Sequence, residues 1–229
     1  MRRRASDAFE QMDLPDCDPD RLERTYRQFA LVNGALSGWR RLYVQEISPL
    51  LSAGSTTTVL DIGSGGGDLA IRLSRWAAKD GLRLHVTGID PDSRAHAFAS
   101  SRPPVHGVEF RRAHTTELLR EGPTFDVVTS NHVLHHLQPA ELQQLLSDSQ
   151  ALGRTKVLHN DLRRSPAAYA LFSVAALPFR GSFIREDGLT SIRRSYTRQE
   201  LEALAPPGWH VESSSAFHQL LVCRKEFHD

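Results

Sequence analysis

Val59-Leu60-Asp61-Ile62-Gly63-Ser64-Gly65-Gly66-Gly67-Asp68 is a short apolar strand that runs into a carboxylate and then into a loop with glycine at 63, 65 and 67. Glycines there permit a tight turn and leave no Cβ between the backbone and a ligand. The spacing separates two kinds of nucleotide site. A dinucleotide fingerprint G-x-G-x-x-G beginning at Gly63 needs its third glycine at position 68, which here is Asp68. A carboxylate at a helix start repels a pyrophosphate. Together with Asp61 it suits a ligand with a cationic amino group better than one carrying phosphates.

Downstream, Leu84-His85-Val86-Thr87-Gly88-Ile89-Asp90-Pro91-Asp92 is a second β-rich run ending in an acid. In a doubly wound fold an Asp or Glu at the end of the second parallel strand accepts hydrogen bonds from a ribose, which makes Asp90 the candidate. Its other reading is an N-cap for the helix from Pro91 onward, a role Asp92 fills equally well. A third run, Phe125-Asp126-Val127-Val128-Thr129-Ser130-Asn131, reads as a buried parallel strand, followed by His132-Val133-Leu134-His135-His136-Leu137 entering a helix.

The glycine loop and the Val-Leu-His-His-Leu string together resemble the class I S-adenosylmethionine-dependent methyltransferases, nearest to the small-molecule branch that includes the ubiquinone and menaquinone biosynthesis enzymes. The resemblance runs from about Arg21 to the end. It implies a Rossmann-like doubly wound α/β sheet of seven strands, mostly parallel with one antiparallel strand. It also implies S-adenosylmethionine as methyl donor, S-adenosylhomocysteine as product, and a small-molecule acceptor. Carried over residue by residue, Asp61, Gly63, Ser64, Gly65 and Gly67 form the donor loop, Asp90 and Pro91 lie at its ribose, and Asn131 borders its methionine part. The segment Phe29–Arg40 resembles the entry helix of the quinone-biosynthesis enzymes, from which Asn33 is carried over. Where the family often has Gly-Asp-Ala, this chain has Arg111-Arg112-Ala113-His114, so adenine recognition falls to His114, to backbone groups or to stacking. The Asn-Pro-Pro-Tyr type string of nucleic-acid amino-group methyltransferases does not follow the fourth strand, which argues against a nucleic-acid substrate.

The donor carries its methyl group already activated on a sulfonium, leaving the acceptor's proton as the remaining chemical problem. A phenol with a pKa near ~10 is mostly neutral at cell pH, so a base would raise the reactive fraction. His135 is the first candidate and His159 the next. Histidines at strand ends also cap or pack, and that reading stays open. Asp161, ending the fifth strand, is placed to orient a hydroxyl or the lid arginines.

At 229 residues the chain suffices for one sizeable core with an appended cap. A net charge of +1 provides no field to recruit polyanions. Arg2-Arg3-Arg4 precedes no apolar core of a signal peptide and reads as a solvated tail. The longest apolar run, Ala167 to Phe179, is too short to span a bilayer. Cys17 and Cys223 show neither a disulfide framework nor metal spacing. The expectation is a cytoplasmic monomer or homodimer without metal or membrane span.

Residues 1–52 read as an N-terminal helical cap and 53–229 as the donor-binding domain. Strands are expected near 58–62, 83–89, 107–112, 125–130, 154–161, 208–214 and 217–224. Helices are expected near 67–78, 92–101 and 139–152 and from the capping box at Thr197-Arg198-Gln199-Glu200. In the cap, Asp18-Pro19 opens one helix and Trp39 to Leu51 marks a second. Residues 165–195 form a lid insertion whose apolar side chains, Leu171, Phe172, Phe179 and Ile184 among them, either face an aromatic or lipophilic substrate or simply pack the insertion down. O-methylation of a phenolic, quinol-like or polyketide-derived acceptor of secondary metabolism is the leading reading. C-methylation, a nicotinamide-dependent oxidoreductase and a noncatalytic cofactor-binding subunit are the alternatives.

Overall fold

A computed structural model describes residue 1 and residues 3–225. The strands β1 (Thr57–Ile62), β2 (Leu84–Ile89), β4 (Phe125–Asn131) and β5 (Gly153–Leu162) are buried along most of their length. Such runs fit a parallel sheet covered on both faces. With β3 (Val108–Arg111), β6 (Trp209–Ser213) and β7 (His218–Arg224) they form one sheet in the order β3-β2-β1-β4-β5-β7-β6. Only β7 is antiparallel to its neighbours β5 and β6.

Alternation sends successive side chains to opposite faces. Leu60, Val128, Val157 and Leu221 enter one core with Leu134, Leu142 and Leu146. Val59, Val127, Leu158 and Leu220 enter the other with Trp39, Tyr43, Leu69 and Leu73. The covering helices are α1 (Pro19–Leu36), α2 (Trp39–Leu42), α3 (Asp68–Lys79), α4 (Ser93–Ser101), α5 (Thr115–Glu121), α6 (Pro139–Leu152), α7 (Pro166–Ala175), α8 (Ile184–Arg194) and α9 (Arg198–Leu204). Register aligns Ile62 with Ile89 and Ser130, and Asn131 with Asn160. The carboxyl ends of β1, β2, β4 and β5 therefore share one edge, and the strand order reverses between β1 and β4. That is where open α/β sheets bind ligands.

Three local expectations need correction. The stretch from Trp39 to Leu51 is not one helix: α2 passes into a π turn at Tyr43–Ile47 and a 3-10 turn at Ser48–Leu50. Pro49 there has no N–H to continue the helical ladder. Helix α5 was not expected, because it buries only Leu118 and is too short to show a period. Arg4 is not a solvated tail residue. Its guanidinium donates to the carbonyls of His135 (2.8 Å) and Leu137 (2.7 Å) and lies over the Tyr196 ring. Arg2 lies outside the described residues. Cys17 and Cys223 are unpaired, and no described helix is long and apolar enough to cross a membrane.

Candidate active site

The three alternate glycines of the β1–α3 loop all take positive φ, 65°, 52° and 76°, and differ in what a side chain there would meet. A Cβ on Gly63 would meet Val133 Cγ2 at 2.6 Å, and one on Gly67 would enter the Phe110 ring. At Gly65 a Cβ would meet nothing within 4 Å, because that residue faces an open cavity of about 520 Å³. Asp90 fixes the loop: its Oδ2 accepts the Gly65 N–H at 2.9 Å and its Oδ1 accepts the Asp92 N–H at 2.9 Å. The N-cap of α4 is Asp92, which accepts from the Arg94 N–H, so Asp90 is free of that role.

Asp61 stands at the cavity floor, 1% exposed, and Oδ2 has no partner. Burial, then the nearby Asp68 carboxylate, push its carboxyl well above the ordinary range. Asn33 on α1 donates to Asp68 Oδ2 at 3.3 Å, which brings the entry helix onto the loop. At the end of β4, Asn131 Oδ1 accepts from Trp39 Nε1 (2.8 Å) and Asn160 Nδ2 (3.1 Å). Asn33, Asp61, Gly63, Ser64, Gly65, Asp90, Pro91 and Asn131 thus share one cavity. Gly67 and His114 do not line it. His114 is exposed at the start of α5, where its N–H faces Glu117 Oε1, so adenine recognition through its side chain is not supported.

The two histidines expected as bases are both reassigned. His159 is a core residue: Nδ1 is 2.7 Å from Ser130 Oγ, Nε2 is 3.0 Å from Ser149 Oγ, and the ring stacks on Trp209. Burial holds it neutral with a pKa of about 3, and it does not reach the cavity. His135 lines the cavity but lies between two carboxylates. Nδ1 is 2.7 Å from Asp161 Oδ1 and Nε2 is 3.3 Å from Glu10 Oε1. Burial opposes its charge, yet Asp161 and then Glu10 outweigh that and raise it to about 10. An imidazole with both nitrogens committed and its proton so tightly held has no lone pair to offer as a base. Asp161, pulled to about 2 by His135 despite burial, also accepts the His135 N–H at 2.7 Å, so it orients His135 rather than a substrate hydroxyl.

The contributions of four residues, Glu10, Asp187, Arg94 and His218, escaped sequence reasoning. Glu10 comes from an N-terminal segment without periodicity, and nothing in the sequence announces it. Asp187 on α8 accepts the N–H groups of Gln11 (2.7 Å) and Met12 (3.0 Å). The Arg94 guanidinium holds the carbonyls of Leu14 (2.9 Å) and Met12 (3.2 Å), so residues 11–14 run between the lid and α4, with Met12 and Asp13 lining the cavity. His218, a lone histidine opening β7, points its ring at His132.

Of the lid side chains, Leu171, Phe172 and Ile184 line the cavity with Ala168, Leu162 and Phe217, giving it an apolar wall. Phe183 instead packs on Leu22 and Tyr26 of α1, and Val174 and Leu177 face solvent.

Residues 59–156 match the family model for a methyltransferase domain. The ubiquinone biosynthesis O-methyltransferase of Rhizobium etli is 36% identical over 86 residues, 37% of this chain and 32% of that protein. The enzyme of the same name from Paracidovorax citrulli is 29% identical over 163 residues, 68% of this chain and 61% of that one. The chain thus spans about a third of the length of the Rhizobium relative. Among solved structures, the plantazolicin methyltransferase BpumL in complex with SAH superposes with a TM-score of 0.62 at 13% identity, covering 90% of this chain and 96% of that one. Human N-acetylserotonin methyltransferase in complex with SAM gives 0.60 at 15%, covering 88% and 55%. At those identities the likeness shows the fold alone. Residues 59–156 thus form a methyltransferase domain, and the glycine loop and sheet order agree with the class I S-adenosylmethionine-dependent type.

Proposed function

We propose that this protein transfers a methyl group from S-adenosylmethionine to a hydroxyl of a small aromatic or lipophilic acceptor. The observation that carries this reading is that one cavity joins an acidic glycine-loop end, with the partnerless Asp61 oxygen and open space at Gly65, to an apolar lid wall. A buried carboxylate oxygen without a donor fits a ligand that brings an ammonium group. Asp90 would take the ribose hydroxyls, Asp61 and Asp68 the ammonium, and Asn131 would border the sulfur. Asp61, Asp68 and Asp90 together disfavour the pyrophosphate of a nicotinamide cofactor. Bound there, the donor supplies an electrophilic methyl on sulfur, and the protein's task is to align the acceptor and exclude water. Leu171, Phe172 and Ile184 would hold an aromatic or alkyl body. The relatives' name, O-methyltransferase, supports oxygen as the attacking atom.

Calorimetry with S-adenosylmethionine, S-adenosylhomocysteine and NAD tests the donor. The first two should bind with Kd at or below about 100 μM and NAD should not. Label transfer from methyl-labelled donor to a panel of phenols, catechols and quinols tests the acceptor. NAD binding without donor binding would overturn the reading.

A further inference from the structure

We propose that His132 takes the acceptor's proton and that His218 and Ser215 carry it onward to the β6–β7 loop. This rests on the reading that a hydroxyl is methylated. The cavity wall passes from Asn131, on the donor side, through His132 and His218 to Phe217, on the lid side. His132 Nε2 lies 3.0 Å from His218 Nε2, with the rings stacked at 5.2 Å between centroids. His218 Nδ1 lies 2.9 Å from Ser215 Oγ. Ser215 is half-buried in the turn between β6 and β7, beside exposed Ala216. His132 Nδ1 has no partner among the described residues and is not sealed from solvent, so it is the end of the chain of contacts that the cavity can reach.

The backbone is shaped to keep it there. His132 is the only non-glycine described residue with positive φ, 60°, a conformation that costs a branched-free side chain on the order of 1 kcal/mol. Its N–H donates to the Asn160 carbonyl at 2.9 Å, and that bond and the one to His218 hold the ring across the strand end. Histidine, asparagine and aspartate tolerate this region best.

The electrostatics favour a relay over a simple base. Burial, then the facing His218, hold His132 neutral with a pKa of about 3; Asp161 and Glu10 pull the other way and the His135 imidazolium opposes them. Burial holds His218 at about 4. Neither ring readily becomes an imidazolium, so His132 accepts a proton on Nδ1 only by releasing one from Nε2. In the resting arrangement His132 Nε2–H donates to His218 Nε2, and His218 Nδ1–H donates to Ser215 Oγ. As the acceptor oxygen bonds to the methyl carbon and the carbon–sulfur bond breaks toward sulfur, the hydroxyl proton goes to His132 Nδ1. The Nε2 proton moves to His218 Nε2, the Nδ1 proton of His218 moves to Ser215 Oγ, and the hydroxyl releases its own proton to water. Both rings end neutral with their tautomers exchanged, and no buried charge is created.

Two measurements test this. Nitrogen-15 spectra of histidine-labelled, ligand-free protein should show His132 with a bare Nδ1 and a protonated Nε2, and His218 with the reverse, unchanged from pH 5 to 8; a protonated His132 Nδ1 would overturn the relay. His132→Asn keeps a residue suited to the positive φ and should fold, with S-adenosylhomocysteine affinity within about 3-fold of wild type. On catechol its turnover should fall on the order of 100-fold, and on nitrophenols, already ionised, by less than about 5-fold. His218→Phe should show the same pattern. Equal slowing on every acceptor would overturn the proposal. Donor binding without turnover of any hydroxyl acceptor would overturn it together with the reading it rests on, whereas absent donor binding with the expected tautomers would remove that reading and leave the hydrogen-bonded pair standing.

Discussion

His135 and Asp161 form a two-point clasp: the carboxylate takes both the ring Nδ1–H and the backbone N–H of the same residue, each at 2.7 Å. Opposite it, Glu10 approaches Nε2 at 3.3 Å and itself accepts the Ser191 hydroxyl at 2.8 Å. The N-terminal segment, the β4 exit, the end of β5 and the lid helix α8 are thereby tied to one buried cation.

The clasp predicts how stability follows pH. His135 is raised to about 10, above its unfolded value near ~6.5, so its contribution is complete below ~6.5 and is lost as pH rises through about 10. Glu10 and Asp161 are lowered to about 2, so theirs is present above ~4 and is lost as pH falls toward about 2. His132, His159 and His218, held neutral by burial, cost stability as pH falls below ~6.5, so the Tm should peak near pH ~6.5, while the clasp's own contribution is greatest between pH ~4.5 and ~6.5. In His135→Gln the deficit relative to wild type should be largest there and shrink toward pH 10, as thermal melts across pH would show.

His135→Ala leaves the buried Asp161 without its cationic partner and weakens the hold on Glu10, which keeps Arg194 at 3.9 Å, and should cost about 3–5 kcal/mol in denaturant titration. Any loss of turnover should track loss of folded protein. A stable variant with a specific catalytic defect would return His135 to a chemical role.

Asp61→Asn should stabilise the unliganded protein by about 1 kcal/mol, because it removes a buried acid whose Oδ2 has no partner. The same change should weaken S-adenosylhomocysteine binding at least about tenfold, or ~1.4 kcal/mol. Melting and calorimetry on one sample read both, and unchanged affinity would remove Asp61 from the donor site.

Asp90→Ala should weaken donor binding by about 1–3 kcal/mol and also loosen the loop, since Asp90 holds the Gly65 and Asp92 N–H groups. Gly65→Val should abolish binding, with a backbone cost of roughly 1–2 kcal/mol from its positive φ. A Gly65→Val variant with normal donor affinity would show that the cavity beside this residue is not the donor's.

The sheet was legible because its strands are long apolar runs ending in acids, and each such end lands on the same edge. Asp61, Asp90 and Asn131 are strand-end residues, so locating the strands located them as well. The histidines were less legible. His132, His135 and His159 look alike in sequence, yet Ser149, Asp161 and His218 decide which is a core residue, which a fixed cation and which an open lone pair. Each of those partners comes from another element. Glu10 was invisible for the same reason, because its role exists only once α8 and the β4 exit meet it. His114 and Gly67 show the converse: family position alone placed them beside the donor, whereas local capping and the Phe110 ring account for them here.

The crossing of residues 11–14 from Asp187 to Arg94 carries a kinetic consequence. One border of the chamber is a tether of main chain, anchored by main-chain hydrogen bonds at one side and a guanidinium at the other. Release of this tether is expected to set the pace of donor arrival and product departure. Cutting Arg94 back to alanine should speed product exchange while letting water reach the reacting atoms, so that faster release comes with poorer methyl transfer.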